Sequence, residues 1–458
     1  MAEIIGKECK FVVHLPKISG QRPDTHVIKE RLHYSDGTTR PNLKIIKNFK
    51  RPFWVTKEHY RKHKDKKEVE ELERVNEHFS TESDLGRNIA TRLGSRYNGI
   101  YKLRDVIDSP YIYGIDTKSV AIIKKLYMDK YPDCISPYTV ATLDIENDTL
   151  TNEITIVSLV MEDKIHTILT QKFLDNSDAN VRDPINRIKD LYQKYIPDTE
   201  IKKKASIEIE IVKDEYELVK NIFKVAHKWQ PDFVAIWNID YDIPMMVEVI
   251  KKYGGDPADI FSDPSLPKEL RHFEYKQGQK SKLTESGKYT PVNPEEQWHT
   301  VNTPATFYLI DAMSSHRYVR VGGKTTPGGY SLDNILAQEL GDKLKKLKFG
   351  DEDKYKGIEW HQYMTKNMPL EYAVYNMWDC MSMIELDKKT KDLSTVLPML
   401  AGYSHFSIFN SGPKKIVDGM HFYVLERGKV LGVRPSRVED NKILGLDDWI
   451  KESMINNR

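Results

Sequence analysis

The chain has 458 residues, enough for about three domains with cores of their own, and its 39% hydrophobic and 30% charged residues exclude an intrinsically disordered chain. Seventy Lys and Arg against 68 Asp and Glu leave a net charge of +2, which argues against a strongly cationic nucleic-acid coat but allows an acidic cleft with basic surroundings. The three cysteines, Cys9, Cys134 and Cys380, have no CxxC or Cys/His spacing, the N-terminus is not signal-like and no run reaches about 18 apolar residues, so the expectation is a cytoplasmic, soluble protein without disulfides, zinc ribbon or membrane partner.

Up to about residue 135, short β-like runs (Phe11 to Leu15, Leu43 to Ile46, Pro52 to Val55) and turn signals such as Asp36-Gly37 predict a β-rich mixed N-terminal domain. The charge-dense stretch from Arg61 to Arg74 is helix-prone and reads as a solvated helix face. A second helix is expected near Ser119 to Met128, before the break at Tyr131-Pro132-Asp133. The texture changes from Pro137. TVATLDIE, EITIVSLV and KIHTIL predict a meander of three strands, with SIEIEIV as a fourth candidate. A helix follows over Asp214 to Trp229, broken by Gln230-Pro231-Asp232, and then the apolar run FVAIWN.

A further helix is expected after Asp242, ending at Gly254-Gly255. Residues 263 to 304 read as a long polar loop with a positive excess at Lys268, Arg271, Lys276, Lys280, Lys282 and Lys288. ATFYLIDAM predicts a strand, and GGYSLDNILAQELG a helix capped by Ser331 and closed by Gly341. Over Leu370 to Lys389 the spacing of Leu370, Val374, Met377, Met381 and Ile384 predicts an amphipathic helix. Strands alternating with helices in this order imply an α/β domain with a mixed sheet over 136–393, and residues 394–458 do not obviously close a domain of their own.

Chemistry enters through carboxylates. Alternation puts Asp144 and Glu146 on one face at the end of the first strand, where two acids repel unless a cation stands between them. Asp242 follows a later strand-like run and starts a helix, with Asp240 as a competing candidate; Asp-Ile-Pro is also an ordinary helix N-cap. Asp379 lies four residues after Tyr375, so both project from one face of the late helix. Each alone has a plain structural explanation; the ordered set is more informative.

Asp144-x-Glu146, then Asn238-x-x-Tyr241-Asp242, then Tyr375-x-x-x-Asp379 resemble the three exonuclease motifs of the 3′ to 5′ proofreading domain of family B DNA polymerases. QPDFVAIWN resembles the family's acid-led strand and GGYSLDNILAQELG its Tyr-Ser-Leu helix, so the likeness covers roughly residues 137 to 390; Ile236-Trp237 stand where the family usually has Gly-Tyr. The resemblance implies an RNase H-like α/β fold with a mixed central sheet flanked by helices, and hydrolysis of 3′-terminal nucleotides with two Mg²⁺ or Mn²⁺ ions. In that scheme Asp144 bridges both ions, Glu146 and Asp379 hold the water-activating ion, Tyr375 orients the water and Asp242 acts through the second ion. Asn238, Tyr241, Arg317 and Arg320, with His316 and Tyr318, are candidates to line the path of a single-stranded DNA 3′ end from a primer-template.

Palm motifs of the Asp-x-x-Ser-Leu-Tyr-Pro-Ser and Tyr-x-Asp-Thr-Asp kind do not occur, the nearest text being FGDED at 349–353, and GPKKIVDGMHFYVLERGKVLGVRPS resembles the link from exonuclease to palm. The expectation is the editing half of a split, phage-type polymerase in a host cytoplasm, whose partner polypeptide carries palm, fingers and thumb. Two alternatives remain: a free-standing repair exonuclease, and a non-catalytic single-strand-binding or assembly subunit.

Overall fold

A computed structural model describes residues 2–94, 103–177, 182–284, 287–320, 326–341, 343–350 and 354–433. The end of the FGDED run and residues 434–458 of the segment expected at 394–458 lie outside the described residues. The protein is mixed α/β, and its described residues form two compact units, one drawn from 2–11, 29–43 and 133–400, the other from 12–28, 44–132 and 401–433.

The first unit is built on a six-stranded mixed sheet in the order Ser206–Val212, Lys164–Thr170, Ile154–Met161, Val140–Asn147, Phe233–Ile236, Tyr308–Asp311. The expected meander is present: 140–147 pairs antiparallel with 154–161, and that strand pairs antiparallel with 164–170. The other neighbours are parallel, 206–212 beside 164–170 and 233–236 between 140–147 and 308–311. Both faces are covered. Leu143, Ile145, Leu159 and Ile168 pack with Leu218, Ile222 and Phe223 of the helix Glu215–Trp229 and with Ile243, Met246 and Ile250 of the helix Ile239–Lys252. Ile156, Val160, Ile165 and Leu169 meet Ile188 and Tyr192 of the helix Pro184–Tyr195 and the long helix Pro369–Thr390. Each such side chain contributes about 1.5–3 kcal/mol by leaving water.

Several elements differ from the sequence expectation for identifiable reasons. The long helix carries Leu370, Val374, Met377, Met381 and Ile384 as expected, but it is buried on every side from Tyr372 to Ile384 rather than along one stripe. Asn376, Asp379 and Ser382 are buried with it. The helix expected after Asp242 begins earlier, at Ile239, so that Asp240 and Asp242 occupy its first turn and Pro244 lies inside it. Residues 61–71 form no helix and 72–74 only a single helical turn; that turn directly follows a strand Val69–Glu71, which pairs with Lys429–Leu431, and another single turn lies upstream at Glu58–Tyr60. Between Arg61 and Glu71 the lysine-dense run has a single apolar residue, Val69, too little packing to offset helix nucleation. The polar stretch 263–304 contains two antiparallel ribbons, Glu274–Lys276 with Thr300–Asn302 and Ser281–Leu283 with Tyr289–Pro291, whose three-residue strands are too short for alternation to show. The strand Thr25–Tyr34 escapes notice because its buried residues 25–31 include Lys29, Glu30 and Arg31.

Those buried cations serve the sheet. Asp232, the acid leading into the 233–236 strand, is paired by Arg31 at 2.8 Å and Lys29 at 3.4 Å and accepts the Thr139 backbone N–H at 2.9 Å. Lys29 also donates to the carbonyls of Gln230, Pro231 and Thr306.

The second unit contains a sheet in the order Val75–Ser80, Arg51–Thr56, Ile112–Tyr113, with helices Leu85–Arg92, Ser119–Lys130 and Gly412–Leu425. Phe53, Val55, Leu85, Ile89 and Ile112 form its core. Gly114 is held at φ +71°, and a Cβ there would stand 2.5 Å from the Trp54 ring, so only glycine fits. Among the described residues no helix is long and apolar enough to cross a membrane.

Candidate active site

The 140–147 strand and the 369–390 helix are joined by a ladder of three polar contacts. Thr142 Oγ1 donates to the Cys380 carbonyl at 2.8 Å, Asn376 Nδ2 donates to Asp144 Oδ2 at 2.8 Å, and the Tyr372 hydroxyl donates to Glu146 Oε2 at 2.5 Å. Two residues of strand rise about 6.7 Å and four residues of helix about 6.0 Å. Alternate strand positions and every fourth helix position therefore stay in step over a short run, and this spacing delivers Asp144 and Glu146 to the helix face that carries Tyr375 and Asp379.

Asp144, Glu146 and Asp379 each place a carboxylate oxygen within 4.8 Å of the other two. Glu146 and Asp379 are buried, and Asp144 is half-buried. Burial, reinforced by the Asp379 charge, pushes the Asp144 carboxyl up to about 7. Burial and then Asp144 push Glu146 well above the usual carboxylate range. Asp242, 2% exposed, stands outside the group of three, yet burial and the charges of Asp144 and Glu146 raise it in the same way. Asp240, the competing acid, is held elsewhere by the Tyr275 hydroxyl at 2.8 Å and Gln277 Nε2 at 2.6 Å.

Lys346 completes the cluster. Its Nζ donates to Asp379 Oδ2 at 2.6 Å and to the Tyr375 hydroxyl at 2.9 Å. Burial opposes its charge, but Asp379, Tyr375 and Asp144 outweigh this and hold the ammonium well above its ordinary pKa. Burial and the Asp379 charge raise the Tyr375 phenol, so it stays protonated at neutral pH.

Oxygen-only donors suit a hard cation such as Mg²⁺ or Mn²⁺ rather than a thiophilic metal. Asp242 Oδ2 and Asp379 Oδ1 are buried without a hydrogen-bond partner, an arrangement that a bound cation relieves. The carboxylates of Asp144, Glu146, Asp242 and Asp379 thus fit the implied ions.

The candidates for a DNA path fall into two sets. Asn238 and Tyr241 are exposed at the start of the 239–252 helix, with the Tyr241 hydroxyl donating to Asn147 Oδ1 at 2.8 Å. Arg317 and Arg320 already have anionic partners, Glu296 at 2.9 Å for the first and Asp392 at 2.7 Å and Glu339 at 3.4 Å for the second. His316 is buried beside Asp392 at 2.8 Å.

Sequence reasoning missed Lys346, Tyr372, Asn376 and His361, whose Nδ1 lies 2.6 Å from the Tyr372 hydroxyl. Tyr372 and Asn376 could have been found, since they stand four apart on the motif helix. Lys346 could not, in a run that also holds Lys343, Lys345 and Lys348. No protein-family model matches the chain, and no curated protein matches it.

Proposed function

We propose that this protein is a metal-dependent 3′ to 5′ exodeoxyribonuclease with an RNase H-like fold, acting as the proofreading activity of a family B DNA polymerase. One observation carries the reading: three carboxylates from two distant segments converge within 4.8 Å in a buried setting that raises their pKa values. A protein has little structural reason to hold repelling acids together, and such shifts cluster at functional sites. The strand order, with 154–161 antiparallel to 140–147 and 233–236 parallel to it, supports the fold assignment.

When bound at these acids, Mg²⁺ supplies an activated water and charge neutralisation for the scissile phosphate. The residues of the chain do the rest. Asn376 and Tyr372 fix the Asp144 and Glu146 carboxylates through one oxygen each, leaving the other oxygen of each to ligate. Tyr375 accepts from Lys346 and hydrogen-bonds the Asp379 side chain, which holds the phenol beside the acids, where turning its O–H from Asp379 would present it to the attacking water or a phosphate oxygen. A phenol raised above 10 is an orienting donor and not a base. Lys346 adds a fixed positive charge where negative charge grows on the phosphate.

The test is degradation of 5′- and 3′-labelled single strands in Mg²⁺. Stepwise shortening from the 3′ end, lost in EDTA and in Asp144→Ala/Glu146→Ala, is expected. Full activity in that double variant overturns the reading.

A further inference from the structure

The second unit holds another convergence of ligating side chains, made of nitrogen and oxygen. His14, Asp24 and His26 each place one ligand atom within 4.8 Å of the others. His14 Nε2 lies 3.2 Å from Asp24 Oδ2, His26 Nδ1 lies 3.9 Å from Asp24 Oδ1, and the two imidazoles stack at 4.7 Å between centroids. Asp24 and His26 are completely buried, while the His14 side chain keeps 19% of its surface in solvent.

Two atoms at the centre are orphaned. Asp24 Oδ1 and His26 Nδ1 are buried without a hydrogen-bond partner and face each other. The opposite sides of both groups are satisfied: His26 Nε2 is 2.8 Å from Ser119 Oγ, and Asp24 Oδ2 accepts the Ser83 backbone N–H at 2.8 Å. If His26 donates Nε2–H to Ser119, the Nδ1 lone pair confronts a carboxylate oxygen. If it carries the proton on Nδ1, the separation of 3.9 Å is too long for a hydrogen bond. Neither tautomer satisfies the pair, and each buried polar atom left unmatched is destabilising.

We propose that His14, Asp24 and His26 form a binding site for a divalent transition-metal ion of the zinc class. Two imidazoles and one carboxylate are a zinc donor set, unlike the oxygen-only cluster of the first unit. Tetrahedral ligands at zinc bond lengths stand about 3.3 Å apart; Asp24 Oδ1 and His26 Nδ1, at 3.9 Å, close on an ion by a fraction of an ångström, and His14, whose Nε2 stands 3.2 Å from the other oxygen, Asp24 Oδ2, turns from it to complete the set. Ser119 orients His26 from behind through the ring nitrogen not used for the metal. Half-buried His14 is the side from which an ion and a fourth, water ligand reach the site. Ser119 is the first residue of the 119–130 helix, so the ion ties the segment 14–26 to that helix start and acts structurally. The inference does not rest on the nuclease reading.

The experiment uses the full-length, tag-free chain, stripped with chelator and titrated with Zn²⁺ against a chromophoric competitor, with metal content measured after gel filtration. One Zn²⁺ per chain is expected, retained in Asp144→Ala/Glu146→Ala and in excess Mg²⁺. It should weaken by at least tenfold in His14→Ala and in Asp24→Asn, and by about tenfold in Ser119→Ala. Co²⁺ in place of Zn²⁺ should show the visible bands of four-coordinate nitrogen and oxygen ligation. His14→Ala, being partly exposed, folds even if a variant at buried His26 does not, and circular dichroism verifies this. No tight Zn²⁺ on the wild type, undiminished binding in His14→Ala, or loss of Zn²⁺ in Asp144→Ala/Glu146→Ala overturns the proposal.

Discussion

Asp242 shows how the candidate site trades stability for chemistry. Its Oδ2 is buried without a partner, and burial and two neighbouring carboxylates raise its pKa. A carboxyl raised in the folded state is harmless below the ordinary carboxylate pKa and destabilising as the pH climbs above it, because folding then opposes ionisation. Asp242→Asn is therefore expected to stabilise the metal-free protein by about 1–2 kcal/mol at pH 8 and by clearly less at pH 5, while the proposed nuclease activity falls to background. Denaturant melts in EDTA at the two pH values check this; an equal gain at both would rule out charge repulsion as the cause. Lys346→Ala should lower kcat about 100-fold with little change in KM. Combined with Tyr375→Phe its effect should fall well short of the product of the two, since the pair shares one hydrogen bond. Asp144 and Glu146 were legible in the sequence because strand alternation is local. Lys346 was not, because what distinguishes it from neighbouring lysines is a contact 33 residues away in the chain.

Among the elements, the strand-to-helix ladder has a rung far from the acids. Thr142→Val removes the hydroxyl that bonds the Cys380 carbonyl while keeping the shape, and is expected to cost about 1 kcal/mol with activity within a few-fold of wild type. Asn376→Leu should leave stability similar but cut activity sharply, because Asp144 loses the donor that orients it. Equal activity losses in both variants would mean that the ladder acts as one unit rather than rung by rung. Adjacent β-rich runs and helices with apolar spacing or a cap were readable: the meander, the 215–229 helix with Leu218, Ile222, Phe223 and Ala226 at helical spacing, and the Ser331-capped helix Leu332–Glu339. The strand at 25–34 and the ribbons of 274–302 were not, because buried charge hid the first and brevity the others.

At the scale of the molecule the second unit carries a built-in response to acid. His421, 2% exposed, and His405 are each pushed down to about 4, mainly by burial and then by nearby cations, Arg51 for the first and Lys124 for the second. A depressed histidine pKa adds stability above the unfolded value near 6.5 that is lost as the pH falls through it towards 4, because the unfolded chain takes up the proton first. The buried His421 alone accounts for an effect on the order of 3 kcal/mol between pH 7 and pH 4. Thermal melts are expected to drop over that window and to drop less in His421→Leu; an unchanged slope in that variant would assign the response elsewhere.

The cations around Asp232 constrain how the sheet can be made. Burial lowers Lys29 to about 8, and Asp232 pulls against it, so the ammonium stays charged at neutral pH. Lys29 and Arg31 precede Asp232 by about 200 residues, yet belong to the same unit. A fragment starting at 136 would bury an anion and several carbonyl groups without their donors, a defect of about 3–5 kcal/mol, and is expected to be unfolded or insoluble. During synthesis the order is favourable: the two cations leave the ribosome first and wait, and the acid that most needs them is never buried alone.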